Sequence, residues 1–222
     1  MGQQMAPWVP HFIQSYNNNQ KNKSFVPFQL ATTSKEGPRC RTVVFSDFLF
    51  NNKSSNVLCF NTDYRSRKVE ELSESSRYEG CFYFQDTWEQ YRFRGSLFLV
   101  SQNGVNISSA NLQQLNSNVK YEEKQWENEM ERQWAQLSRA AKSQYKTPMP
   151  GATVTEETSN QLDKLQRGVD GSNEDSGREN FAIVALFVES VDYLKLKHGF
   201  GGQRFLYTRI DDDLWDINEI CP

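Results

Sequence analysis

Apolar and polar positions alternate with a short period through much of the first hundred residues. Residues 25–33, 39–50, 57–62, 80–85 and 90–101 are rich in β-branched and aromatic side chains, and turn-forming stretches such as Lys35-Glu36-Gly37-Pro38 and Asn51-Asn52-Lys53 divide them. Short strands joined in this way predict an antiparallel meander or barrel. Ahead of them, Pro7-Trp8-Val9-Pro10-His11-Phe12-Ile13 predicts a short helix with Pro10 in its first turn, ended by Asn17-Asn18-Asn19, that packs Trp8 and Phe12 on the barrel. Val69-Glu70-Glu71-Leu72-Ser73 predicts a helix between the third and fourth strands.

From residue 108 to 145 the period lengthens. Leu112, Leu115, Val119, Tyr121, Trp126, Met130, Trp134 and Leu137 recur at three- and four-residue steps, which predicts two helices whose aromatic stripe is a packing surface. Thr147-Pro148-Met149-Pro150-Gly151 stops them. Residues 151–180 are dominated by Thr, Glu, Asp, Ser, Asn and Gly and predict a mobile acidic insertion with one helical turn near residues 161–167. Phe181-Ala182-Ile183-Val184-Ala185-Leu186-Phe187-Val188 is a continuous apolar run of the kind a central strand carries. Residues 191–197, 203–209 and 214–217 predict the remaining strands, with Asp211-Asp212-Asp213 as a hairpin turn.

Composition narrows the picture. The 222 residues suit one domain spanning 1–222, and 37% hydrophobic with 13% aromatic content is enough to bury a real core. The mean hydropathy of -0.75 fits polar segments attached to that core. A formal net charge of -3 offers no global attraction for nucleic acid. Cys40, Cys59, Cys81 and Cys221 are far apart and read as reduced core residues; with only His11 and His198 besides, no zinc site is expected. The first sixteen residues lack a secretory pattern and no stretch is apolar enough to span a membrane, so a cytoplasmic location is expected, with nuclear presence compatible.

The chemistry gathers in Asn61-Thr62-Asp63-Tyr64-Arg65-Ser66-Arg67-Lys68, which joins a strand to the start of a helix. Such a turn presents free backbone N–H groups and the positive end of the helix dipole. Ser66 is placed to cap, and Arg65, Arg67 and Lys68 add full positive charge where the dipole disfavours it. Cations clustered against the dipole point to an anion as dense as a phosphate monoester. The alternative is an ordinary capped surface helix with a basic first turn.

Four segments recur in a meaningful order: Arg41-Thr42-Val43-Val44-Phe45-Ser46, the basic turn just described, Glu89-Gln90-Tyr91-Arg92-Phe93-Arg94-Gly95, and the closing Gln203-Arg204-Phe205-Leu206-Tyr207 with Leu214-Trp215-Asp216-Ile217-Asn218-Glu219-Ile220-Cys221-Pro222. Together they resemble the pyridoxine/pyridoxamine 5′-phosphate oxidase family, flavoproteins built on the FMN-binding split β-barrel. The resemblance implies an α+β, mainly β fold, a split barrel with peripheral helices, homodimeric, with FMN at the subunit interface. It implies that Arg67, Lys68 and Ser66 hold the FMN phosphate with Arg41 beside it. It further implies that Asn61 and Thr62 contact the flavin, that Val43 and Val44 offer main-chain groups to the ring edge, that Gln90 reaches the flavin from the partner subunit, and that Arg204 lies on the flavin side.

The departures from the family concern the substrate. Ser46 stands where the vitamin-B6 oxidases carry a lysine for the substrate phosphate. Phe200-Gly201-Gly202 stands where they carry Arg-x-His, and Leu194 replaces a tryptophan. Each lost charge-assisted contact is worth a few kcal/mol, so B6-phosphate oxidase activity is expected to be weak or absent. A genuine oxidase using other contacts, a flavin-dependent reductase for another small molecule, and a barrel that has lost its cofactor are the alternatives.

Overall fold

The computed structural model describes residues 4–20, 25–102, 104–105, 122–168, 171, 173, 175–196 and 201–222. Its strands are β1 (Val26–Ser34), β2 (Gly37–Phe48), β3 (Val57–Asp63), β4 (Arg77–Phe84), β5 (Glu89–Ser101), β6 (Gly104–Val105), β7 (Phe181–Lys195), β8 (Gln203–Arg209) and β9 (Trp215–Ile220). These strands pair antiparallel throughout. The order β5-β4-β1-β2-β3-β7 returns to β5 through a long β5–β7 ladder, and this closes a six-stranded barrel. β8 and β9 extend the sheet outward from β7.

The interior is aromatic. Phe28, Phe60, Phe82, Tyr91 and Phe93 are fully buried, and they face inward because alternate residues of each strand share a face. The helix α1 (Trp8–Asn19) inserts Trp8 and Phe12 among them. Phe12 meets Phe45, Phe82, Tyr91 and Phe93 edge-on at centroid distances of 5.1–5.8 Å, the geometry that aromatic quadrupoles favour. The barrel is therefore packed solid, and a ligand must lie outside it.

A second core covers the outer face of β3, β5 and β7. There α3 (Glu123–Gln136) packs Trp126, Met130 and Trp134 against Phe181, Ile183, Ala185 and Phe187. Buried by the barrel on one face and by α3 on the other, β7 is apolar from Phe181 to Val188, as a central strand should be. Arg132 pins α3 to the barrel by bridging Glu129 of its own helix and Asp47 of β2.

Several expectations are corrected. Residues 181–188 and 191–197 do not form two strands: β7 runs unbroken to Lys195, and the polar Glu189-Ser190 that suggests a break marks an irregularity of register opposite Arg94 and Gly95. β2 ends at Phe48, where Phe50 and Asn51 take left-handed backbone angles in a 3-10 turn. The segment expected to hold one helical turn contains α5 (Glu156–Arg167), three turns long, started by a Thr155/Thr158 capping box and ended by Gly168 at φ +68°. Of the two helices expected over 108–145, the first lies outside the described residues; the second is α3, followed by the short α4 (Arg139–Ser143). Only Cys59 is a core cysteine, because Cys40 and Cys81 sit on outward strand positions and Cys221 follows β9.

Gly95 is where β5 and β7 approach most closely. A Cβ there would stand 1.9 Å from the carbonyl oxygen of Phe187, so no side chain fits without moving backbone. The substitution Gly95→Ala should destabilise the fold by about 3 kcal/mol or more, read as a lower urea midpoint.

Candidate functional site

The basic turn is built by β3 running directly into α2 (Arg67–Glu74). Asp63 accepts two hydrogen bonds from the Arg65 guanidinium, at 3.0 and 2.6 Å, and Arg65 also reaches the Thr147 carbonyl at 3.0 Å. Arg65 is thus a structural brace between the end of β3 and residue 147, and it leaves the cationic cluster expected from sequence. Ser66 occupies the N-cap position but its hydroxyl makes no capping bond. The reason is Lys68, whose ammonium donates to Ser66 Oγ at 3.0 Å and to Thr62 Oγ1 at 2.8 Å. Thr62, Ser66 and Lys68 therefore form one unit at the helix start.

Lys68 has hydroxyl neighbours but no carboxylate in ion-pair range among the described residues. Burial, with the nearby Arg41 charge, pulls its pKa below the usual lysine range. Arg67, exposed on the first turn, has no ion pair there either. Two cations at a helix N-terminus, neither ion-paired among the described residues, suit an exogenous phosphate. Arg41 differs: it pairs with Glu71 of α2 and with the Thr32 hydroxyl, and Thr32 in turn donates to Glu71 at 2.5 Å. Neither Glu71 nor Thr32 is evident from sequence as a partner, since the contact depends on α2 folding back over β1.

Arg41, Arg67 and Lys68 line one open cleft of about 630 Å³, whose wall also carries Lys35 and Arg39 and the carboxylates Glu36, Glu70, Glu71 and Glu74. Val43 points into the barrel and Val44 out of it. β2 pairs with β3 only from Phe45 onward, so along Arg41–Val44 the main-chain groups of that edge have no strand partner. Asn61 lies on the face of β3 opposite Thr62, and its Oδ1 is buried without a hydrogen-bond partner.

Gln90 and Arg204 lie elsewhere. Cross-strand pairs Tyr83↔Gln90, Gln90↔Leu194 and Leu194↔Arg204 set these four residues in one row on the outward face of β4, β5, β7 and β8. β5 is three strands from β2 around a six-stranded ring, on its opposite side. The structure thus brings Arg41, Thr62, Ser66, Arg67 and Lys68 together and holds Gln90 and Arg204 apart from them.

A family model described as pyridoxamine 5′-phosphate oxidase, FMN-binding domain, matches residues 5–101. An uncharacterized protein of Saccharomyces cerevisiae is 41% identical with 100% of both chains covered, and a protein of Arabidopsis thaliana described as pyridoxine/pyridoxamine 5′-phosphate oxidase 2 is 34% identical, again with 100% of both covered. The chain belongs to the pyridoxamine 5′-phosphate oxidase family. Among solved structures, a pyridoxamine 5′-phosphate oxidase-related, FMN-binding protein of Nostoc punctiforme superposes with a TM-score of 0.74 at 30% identity, covering 99% of this chain and 100% of that one. PhzG of Burkholderia lata, at a TM-score of 0.66 and 16% identity, covering 100% of this chain and 99% of that one, shares the split-barrel fold.

FMN is the cofactor of this family's domain, and the donor set fits it: Arg67, Lys68 and the Ser66 hydroxyl at the start of α2 would hold the phosphate, and the open edge of β2 would offer main-chain groups to a ring. Bound there, FMN would supply hydride and electron-transfer chemistry. Replacing Arg67 and Lys68 by Ala should cost about 3 kcal/mol or more of FMN affinity, read by fluorescence titration. The pH course supplies a second check. An anion favours the ammonium, so affinity is full below the free-protein pKa of Lys68 and falls as pH rises through it. With that pKa depressed, the fall should begin at lower pH than an ordinary lysine would give, and Lys68→Arg should abolish it.

Proposed function

We propose that this protein is a homodimeric, cytoplasmic FMN-binding member of the family whose flavin site is kept and whose B6-phosphate oxidase activity is weak or absent. The observation that carries this reading is the fate of Ser46, the residue standing in place of the substrate-binding lysine. Its hydroxyl lies 2.9 Å from the Cys59 carbonyl and 3.1 Å from Oε1 of Gln133. The position is turned under α3 and offers a substrate phosphate nothing. Gly202 supports the same conclusion: a Cβ there would lie 3.0 Å from the Lys195 carbonyl and 3.3 Å from Pro222 Cβ, so the histidine of the B6 oxidases has no room without movement. The third departure, Phe200, lies outside the described residues, as does His198.

The dimer is supported by the separation of the two halves of the site. Phosphate-side residues gather at α2 and β2, while Gln90 and Arg204 sit across the barrel. A packed interior prevents one ligand from bridging them within one chain, but a second copy laid on the outward face could supply them. Both sides carry an exposed apolar group, Val44 on β2 and Tyr83 on β4 beside Gln90, and apolar groups of this kind are suited to an interface. Asn61, Thr62, Val43 and Val44 are assigned to the flavin ring, and Arg41, Ser66, Arg67 and Lys68 to its phosphate side.

The oxidase reading has one observation in its favour, the description of the Arabidopsis thaliana relative. Turnover decides between the two. The FMN-loaded protein should oxidise pyridoxamine or pyridoxine 5′-phosphate far more slowly than about one per second, and pyridoxal 5′-phosphate should bind poorly. A rate at or above that level establishes the oxidase. Light scattering should give twice the chain mass; a stable monomer with full FMN affinity would contradict the shared site.

A further inference from the structure

One residue that no motif singles out stands next to the row containing Gln90 and Arg204. The pairs Cys81↔Arg92, Arg92↔Asp192 and Asp192↔Leu206 form the neighbouring row on the same outward face. Asp192 receives Arg204 in a two-point grip, Nε to Oδ1 at 2.9 Å and a terminal nitrogen to Oδ2 at 2.8 Å. Its Oδ2 also accepts from Arg92. Both carboxylate oxygens are committed to guanidinium groups, and among the described residues the Arg204 guanidinium has no other hydrogen-bond partner.

We infer that Asp192 is a positioning residue for the flavin site: it fixes the direction of the Arg204 guanidinium, so that Arg204 is presented alongside Gln90 before any ligand arrives. The inference rests on the assignment of Arg204 to the flavin in the reading above. An arginine on an outward strand position has many rotamers, and ordering it upon binding weakens the complex; a bidentate carboxylate fixes the planar group in advance. Arg92 also lies 3.9 Å from Glu79, which Arg94 grips at 2.6 Å; three guanidiniums against two carboxylates leave a net positive charge, so the face stays attractive to an electron-rich ring edge or an anion. Burial raises the Asp192 pKa, but the hydrogen bonds and charges of Arg204 and Arg92 outweigh it and hold the group below the usual aspartate range. The carboxylate is therefore charged throughout neutral pH.

A double-mutant cycle on FMN affinity tests this in the full-length protein. Asp192→Asn and Arg204→Ala should each weaken binding by about tenfold, and the pair together by no more than Arg204→Ala alone, because Asp192 acts only through Arg204. Asp192→Glu, which keeps the charge but displaces it by one methylene, should give an intermediate loss and serves as the second variant should the asparagine form fold poorly. Thermal midpoints measured alongside separate folding from binding: a purely structural Asp192 lowers the midpoint without the non-additive binding term. If both single variants weaken binding and their effects add in full, the inference falls while the flavin assignment of Arg204 stands. If Arg204→Ala binds FMN like the parent protein, that assignment falls and the inference with it.

Discussion

The pairing of β5 with β7 is the constraint on which the rest depends. It runs from Glu89↔Lys195 to Ser101↔Ala182 and turns an open sheet into a closed ring. Closure leaves no free edges between those two strands and fixes which residues face in and which face out. It also sets Gln90 beside Leu194, more than a hundred residues away in sequence, and so beside Arg204, which pairs with Leu194 from β8. The register irregularity at Gly95 lets two long strands twist enough to close, and only a residue without a side chain fits there.

Charge in this protein falls into two classes. Arg41, Arg65, Arg132 and Arg204 each meet a carboxylate of the same chain; these pairs orient side chains and pin elements together. Lys68 and Arg67 meet none among the described residues. A partly buried, uncompensated cation such as Lys68 is costly unless a ligand supplies the counter-charge, and the helix dipole at the start of α2 deepens that cost. Anion binding therefore relieves an electrostatic conflict that the folded chain carries on its own.

Much of this was legible in the sequence, for identifiable reasons. The strands of the barrel announced themselves through alternation, and the basic turn through cations set against a helix dipole. What stayed hidden was every feature that needs long-range register. Arg65 reads like Lys68 in sequence and differs only because Asp63 and the Thr147 carbonyl are within its reach. Asp192 looks like an ordinary polar residue of an alternating strand until Arg92 and Arg204 arrive from two other strands. Ser66 has the composition of a cap, yet a lysine two residues later takes its hydroxyl. The polar Glu189-Ser190 pair looked like a strand end because an irregular pairing and a break carry the same local signal.

Helix α5 stands apart from all of this. None of its residues is buried, and its ends are closed by its own capping box, by Glu156 and Glu157 in the first turn, by Lys164 and Arg167 in the last, and by Gly168. A helix satisfied by its own termini asks nothing of the barrel and gives nothing back. The chain can consequently be lengthened, cut or fused to another polypeptide at this helix with little disturbance to the fold, which makes it a natural attachment point for a label that reports on the flavin site without touching it.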